Sequence, residues 1–89
     1  MEAVTTQTSS VELRYFAAAR GALGRSGETL VVPAGSTVDD VVERLAAGTP
    51  AAGPVLARCA VLLDGRRVDR GATLHDGARL DLLPPFAGG

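Results

Sequence analysis

The residues best placed to do chemistry lie at the C-terminus, where the sequence reads Pro84-Pro85-Phe86-Ala87-Gly88-Gly89. Two consecutive prolines cannot continue a β-ladder and favour a stiff, extended backbone. We therefore expect them to hold the last residues away from the body of the domain. Glycine lacks Cβ, so a Gly-Gly segment can enter a narrow channel that larger residues would block. Residues 84–89 are thus predicted to form a flexible tail that enters another protein.

The reactive group of such a tail would be the α-carboxylate of Gly89. A terminal carboxylate, with a pKa near about 3.5, is ionised at neutral pH and is a poor electrophile. Adenylation by ATP, followed by attack of a sulfur nucleophile, would convert it to a thiocarboxylate. The sequence has neither a Walker-type phosphate loop nor a Ser/His/Asp set for this work. Partner proteins must then supply the catalytic groups. The alternative interpretation is that the Gly-Gly end is an inert, frayed terminus.

Other residues with reactive side chains have simpler interpretations. The single cysteine, Cys59, lies in an apolar run and is expected to be a buried, small hydrophobic residue. His75 is predicted to lie in a solvated loop, because no other histidine or cysteine is near enough in sequence to complete a metal site. Asp39 and Asp40 are neighbours near a helix start, so they suit helix capping better than acid/base catalysis. No metal site and no bound cofactor are expected.

Composition restricts the choice of partners and of location. The 9 basic residues are scattered among 10 acidic ones, which disfavours nucleic acid as a partner. No apolar stretch approaches the ~20 residues that span a bilayer, and the N-terminus does not resemble a signal peptide. We therefore expect a cytoplasmic protein that does not enter membranes. Residues 1–10 are rich in Ser and Thr without periodicity, and they are expected to form a disordered leader.

The first half of the chain predicts two strands and a helix. Val11, Leu13 and Tyr15 alternate with polar residues, as in a strand with one buried face. A loop punctuated by three glycines, Gly21, Gly24 and Gly27, should follow, and residues 28–32 form the second strand. Ser36 and Thr37 then begin a helix that ends near Gly48. Its apolar stripe falls at helical spacing and consists of Val38, Val41, Val42, Leu45 and Ala46.

The second half predicts the remaining strands. Two prolines allow only a turn or a short helix in residues 49–58, and residues 59–63 form an apolar strand. The turn Asp64-Gly65 leads to a short strand over residues 66–68, and a last strand covers residues 79–83. If the first and last strands pair in the centre, residues 11–83 form an α+β domain. The prediction is a β-grasp, ubiquitin-like roll, with a mixed sheet and one main helix across one face.

Alternation also locates a candidate docking face. Leu80 and Leu82 should point toward the helix, whereas Leu83 points to the other face of the last strand. By the same rule Leu62 lies on that second face. We expect Leu62 and Leu83 to be exposed together and to form the apolar centre of a partner-binding site, which Phe86 extends.

Three segments of the sequence resemble the MoaD family, the small subunit of molybdopterin synthase, within the MoaD/ThiS type of sulfur carriers. Residues 15–24 (YFAAARGALG) are similar to the family's first strand and loop, and residues 30–38 (LVVPAGSTV) to its second strand and helix start. Residues 74–89 (LHDGARLDLLPPFAGG) resemble its final loop, strand and Pro-Pro-x-Ala-Gly-Gly end. The likeness spans residues 11–89. It departs from the family pattern at Asp64, Ala78, Leu83 and Phe86.

The resemblance implies a role and a set of partners. An adenylyltransferase similar to ubiquitin-activating enzymes would use ATP to adenylate Gly89. A sulfurtransferase or cysteine desulfurase would supply sulfur through a persulfide. The large subunit of molybdopterin synthase would then accept sulfur from the thiocarboxylate to build the dithiolene of molybdopterin. The chain itself would not be a catalyst but the sulfur-donating subunit.

Three other functions stay open at this point. A related carrier could deliver sulfur to thiamine thiazole or cysteine synthesis. A ubiquitin-like protein modifier would use the same terminus to form an isopeptide with lysine. A plain interaction domain would carry an inert tail.

Overall fold

The computed structural model describes residues 7–85. Its elements are, in chain order, β1 (Thr8–Tyr15), α1 (Ala17–Leu23), β2 (Gly27–Pro33), α2 (Val38–Gly48), a 3₁₀ turn (Pro50–Ala52), α3 (Gly53–Ala57), β3 (Ala60–Leu63), β4 (Arg66–Arg67) and β5 (Ala78–Leu83). The turn or short helix predicted for residues 49–58 is present as the 3₁₀ turn and α3.

The strands form one sheet in the order β2-β1-β5-β3-β4. β1 and β5 are parallel at its centre, with Leu13 opposite Leu80, and the outer pairings are antiparallel. A parallel pair needs a crossover connection, and the helices between β2 and β3 form part of it. The mixed sheet with its helices has the predicted α+β, β-grasp architecture.

Helix α2 begins as its sequence predicts. The Thr37 hydroxyl accepts a hydrogen bond from the Asp40 N–H over 3.2 Å, and the Asp40 carboxylate accepts one from the Thr37 N–H over 2.9 Å. This reciprocal capping box satisfies two N–H groups that the first turn leaves without helical partners. Asp40 is therefore a capping residue. The apolar stripe of α2 is buried at Val38, Val41 and Leu45.

The loop predicted around Gly21 is wrong, because α1 occupies residues 17–23. Alanines favour helix, and Ala19 and Leu23, four residues apart, lie buried on one face of this helix. The helix ends at Gly24, which adopts φ 77° and donates its N–H to the Arg20 carbonyl. Burial of this short apolar stripe outweighs the cost of a glycine within the helix.

The expected boundary between leader and domain also needs correction. β1 begins at Thr8, and Ser9 pairs with Val32 of β2 and is itself buried. Ser and Thr hydroxyls do not prevent strand pairing when a neighbouring strand offers hydrogen bonds, so residues 8–10 belong to the domain. Gln7 precedes β1 and accepts the Ala34 N–H over 3.0 Å, and residues 1–6 of the expected leader lie outside the described residues.

The core lies between the helices and one face of the sheet. Leu80 and Leu82 of β5 and Val61 of β3 are buried there, as their alternation predicts. Tyr15 is buried with them, and its hydroxyl donates a hydrogen bond to Glu28 over 2.6 Å. Among residues 7–85, no helix is both long and apolar enough to cross a membrane.

Candidate functional site

The base of the predicted tail lies at the centre of the sheet. β5 pairs with β1 up to Leu82 and with β3 up to Leu83, so the strand is held on both flanks through Leu82 and on the β3 flank through Leu83. Pro84 and Pro85 then leave the ladder, the first half-buried and the second exposed. The predicted site residues Phe86, Ala87, Gly88 and Gly89 lie outside the described residues. The structure thus defines where the tail starts and which surface surrounds that point.

The predicted docking residues occupy one sheet face, the face opposite the helices. Leu62 pairs with Asp81, and Leu83 pairs with Ala60, which places both leucines on that face. Both are half-buried, and neither belongs to the hydrophobic core. The expected exposure of the two leucines is therefore only partial, because adjacent strands cover part of each side chain. The pair remains on the open face beside the origin of the tail.

Phe16 is a further apolar residue at this end of the sheet. It follows β1 directly, is 37% exposed, and donates its N–H to the Leu82 carbonyl over 3.3 Å. Sequence reasoning did not assign it to the site. The available signal was its position, since Phe16 is apolar although it continues the outward-facing positions that Glu12 and Arg14 occupy in β1. We define the apolar patch as Phe16, Leu62 and Leu83.

An ion pair lies next to the apolar patch. Arg14 Nε donates to Asp81 Oδ1 and Arg14 Nη2 donates to Asp81 Oδ2, each over 2.8 Å. The Arg14 guanidinium also lies 5.6 Å from the centre of the Phe16 ring, within the range of a cation–π contact. The alternation that places Leu83 on this face also places Asp81 there, but it does not indicate the ion pair. Its partner is 67 residues away in the sequence.

His75 and Asp64 form a contact at the opposite end of the sheet, where β5 begins. His75 Nε2 lies 2.6 Å from an Asp64 carboxylate oxygen, and Nδ1 lies 2.9 Å from the Asp76 carbonyl oxygen. Because both ring nitrogens face acceptors, the doubly protonated imidazolium fits best. The hydrogen bond to Asp64 raises the pKa of His75, and the same contact lowers the pKa of Asp64.

This contact has a structural role. Asp64 also accepts the Arg79 N–H over 2.9 Å, and Asp76 accepts the Ser10 N–H over 2.7 Å. Together these bonds join the turn between β3 and β4 to the start of β5 and to β1. His75 is exposed, as expected for a loop histidine, but it is ion-paired rather than only solvated. Within residues 7–85, no cluster of three or more His, Cys, Asp or Glu side chains could hold a metal ion.

Cys59 is buried, as its apolar run predicts. It is 6% exposed, and its thiol lies 3.4 Å from the Val55 carbonyl oxygen. Burial raises the pKa of the Cys59 thiol, which disfavours the nucleophilic thiolate. The setting is that of a packing residue.

Solved structures of other proteins share the fold described above. The solution structure of the HVO 2177 protein from Haloferax volcanii has a TM-score of 0.83 and 31% identity, over 100% of this chain and 94% of that one. The crystal structure of SAMP1 from the same organism has a TM-score of 0.80 and 27% identity, over 91% and 100%. Subunits 1 and 2 of the molybdopterin-converting factor from Helicobacter pylori form a complex whose matching chain has a TM-score of 0.63 and 22% identity, over 90% and 99%. This last likeness shows the fold alone.

The family assignment comes from the sequence match. The model of the ThiS family matches residues 13–89, which include β5, the two prolines and the Gly-Gly segment. The resemblance to the MoaD/ThiS type is thereby confirmed, and the matches together indicate a ThiS/MoaD-like sulfur carrier or a ubiquitin-like modifier. The chain belongs to the ThiS family.

Proposed function

We propose that this protein is a sulfur carrier that acts through Gly89 as the small, sulfur-donating subunit of molybdopterin synthase. The observation that carries the proposal is the continuity between the central strand and the family match. β5 leads directly from the middle of the sheet into residues 84–89, and the family match continues through Gly89. The folded domain then provides the surface that partners bind, and the terminal carboxylate provides the reactive group.

The chemistry starts with activation of that carboxylate. An oxygen of Gly89 attacks the α-phosphorus of ATP, an acyl–phosphate bond forms, and pyrophosphate leaves. The terminal sulfur of a partner's persulfide then attacks the acyl carbon, and AMP leaves. A second thiol cleaves the resulting acyl disulfide, which releases the thiocarboxylate and leaves a disulfide on the partner side. All of these steps use partner groups, and the carrier contributes the carboxylate and the surface that positions it.

The proposal requires three partners. They are a ubiquitin-activating-like adenylyltransferase that uses ATP, a sulfurtransferase or cysteine desulfurase, and the large subunit of molybdopterin synthase. The complex of two converting-factor subunits from Helicobacter pylori gives a precedent for the last of these. The proposed setting is the cytoplasm, and the carrier is proposed to bind no cofactor of its own.

A second candidate function is protein modification. SAMP1, which is 27% identical over nearly the whole chain, is a small archaeal modifier protein by name. Modification would use the same adenylate, but a lysine amine would replace sulfur as the nucleophile and an isopeptide would form. Sulfur delivery to thiamine thiazole or cysteine synthesis would use the same thiocarboxylate. A sulfur carrier and a protein modifier therefore differ in their products, a thiocarboxylate in the first case and an isopeptide in the second.

Intact-mass spectrometry can separate these functions. The protein would be incubated with the activating enzyme, ATP and a sulfur donor, with a parallel reaction that lacks ATP as the control. A carrier is expected to exchange one oxygen for sulfur at Gly89 only when ATP is present. Transfer of that sulfur to a molybdopterin precursor by the synthase large subunit would establish the specific role. An isopeptide-linked product would support the modifier instead, and an unchanged mass would contradict both.

Replacement of the only cysteine should spare this chemistry. Cys59→Ala removes a buried sulfur, so we expect the free energy of unfolding to fall by about 1–2 kcal/mol. Sulfur acceptance should be retained, because the thiol is buried in the core cluster and its pKa is raised. Denaturant unfolding measures the first effect, and intact mass after the ATP-dependent reaction measures the second. A variant that folds normally but accepts no sulfur would show that Cys59 belongs to the reaction.

A further inference from the structure

A carboxylate lies buried on the sheet face opposite the helices. Asp81 is only 5% exposed. Its neighbours along β5 on that face are more exposed, since Arg79 is exposed and Leu83 is half-buried. In the sheet it lies between Arg14 of β1 and Leu62 of β3. An ionised carboxylate loses hydration when it is buried, and this loss must be compensated by hydrogen bonds or an opposite charge. Arg14 supplies both through its two 2.8 Å hydrogen bonds.

The ion pair also orients the arginine. A guanidinium that donates from Nε and Nη2 to one carboxylate is held in a fixed plane. The Phe16 ring, 5.6 Å away, restricts it further. The Arg14 side chain nevertheless stays 45% exposed, and within residues 7–85 its Nη1 has no hydrogen-bond acceptor. Arg14 therefore presents a pre-oriented cationic donor to solvent, so less side-chain freedom is lost when an acceptor binds.

The charges around the apolar patch indicate what that acceptor would be. Arg14 flanks the patch on the β1 side, and Arg67, which pairs with Leu62, flanks it on the β4 side and is exposed. The charges of Arg14 and Asp81 cancel each other as a pair. Farther along the sheet, the register partners Glu12 and Arg79 carry opposite charges. Arg67 is then the excess charge, so the net charge around the patch is positive and complements an acidic surface.

We propose that Arg14 recognises a carboxylate on the activating enzyme, and that Asp81 is the positioning residue that aims Arg14 at it. The recognition surface is the apolar patch with Arg14 and Arg67 at its sides, and the partner is a protein surface with an apolar centre flanked by acidic side chains. This inference rests on the proposed function, since it concerns the enzyme that adenylates Gly89. It adds a specificity contact from Arg14 of β1, which the tail does not provide.

A charge-swapped variant tests the inference. Combining Arg14→Asp with Asp81→Arg preserves an ion pair within the sheet but reverses the charge that faces the partner. The measurement is ATP–pyrophosphate exchange by the activating enzyme as a function of carrier concentration, with a thermal melt of each variant. We expect the KM for the carrier to rise at least about tenfold, with a much smaller change in kcat, because the reacting carboxylate is untouched. His75→Gln, at the far end of the sheet, is the control and should keep the wild-type KM.

The outcomes separate the inference from the proposed function. A folded swap with the wild-type KM would show that the pair is only structural and would overturn the inference alone. An equal rise in KM for His75→Gln would overturn it as well, because the effect would not be local. If the swap does not fold, Arg14→Gln with Asp81→Asn keeps hydrogen-bonding groups without charge, and a wild-type KM for that pair would be equally decisive. If wild-type protein supports no exchange at any concentration, the proposed function and this inference both fail.

Discussion

One alanine added after Gly89 should abolish sulfur acceptance. The added residue turns the Gly89 carboxylate into a peptide carbonyl, which has no free oxygen anion to attack ATP. The new terminal carboxylate lies one residue farther from the domain, a displacement of about 3.3–3.6 Å in extended chain. A reaction that requires nearly in-line contact between carboxylate and phosphorus loses orders of magnitude in rate from a misplacement of this size. We therefore expect no detectable gain of sulfur.

The measurement is intact mass after incubation with the activating enzyme, ATP and a sulfur donor. A matched control adds one alanine before Met1, which changes the mass equally but leaves Gly89 as the last residue. This control should accept sulfur like the wild-type protein. Both variants should give the same denaturant midpoint, because both additions lie outside residues 7–85. Sulfur incorporation by the extended chain, without removal of the added alanine, would refute the proposed mechanism.

The second large effect is expected from charges placed in the apolar patch. Leu62→Asp together with Leu83→Asp should abolish association with both the activating enzyme and the large synthase subunit. Buried apolar residues at the centre of an interface contribute about 2 kcal/mol or more each, and a carboxylate there would also have to be desolvated. Two such changes predict a loss of affinity of about a thousandfold. The fold should persist, because neither leucine belongs to the core cluster.

The exposed residue Val31 provides the matched control. It is 52% exposed and pairs with Ser10, so it lies on the same sheet face but on the edge strand β2. Val31→Asp introduces the same carboxylate away from the apolar patch and should not change either affinity. Titration calorimetry with each purified partner measures binding, and a thermal melt checks folding. Wild-type affinity in the double leucine variant would exclude this face as the docking site.

Local patterns predicted most of the architecture because each depends on neighbouring residues. Alternation in β1 and β5, the capping box at Thr37 and the apolar stripe of α2 reflect the geometry of single elements. The pairing of the first and last strands followed from the number and order of elements. Dependence on local patterns is also why α1 was missed, since the three glycines in that segment suggested a loop. Its stability comes instead from Ala19 and Leu23, which pack into the core.

The candidate site, like the fold, was predictable from the sequence only in part. The sequence by itself determined the family and the face on which Leu62 and Leu83 lie, because motifs and strand period are properties of consecutive residues. Only the tertiary structure decided that these leucines are half-buried, that Phe16 joins them, and that Arg14 holds Asp81 across 67 residues of sequence. Side-chain burial and ion pairing depend on strand register and on the neighbours that register brings together. No pattern within one strand contains that information.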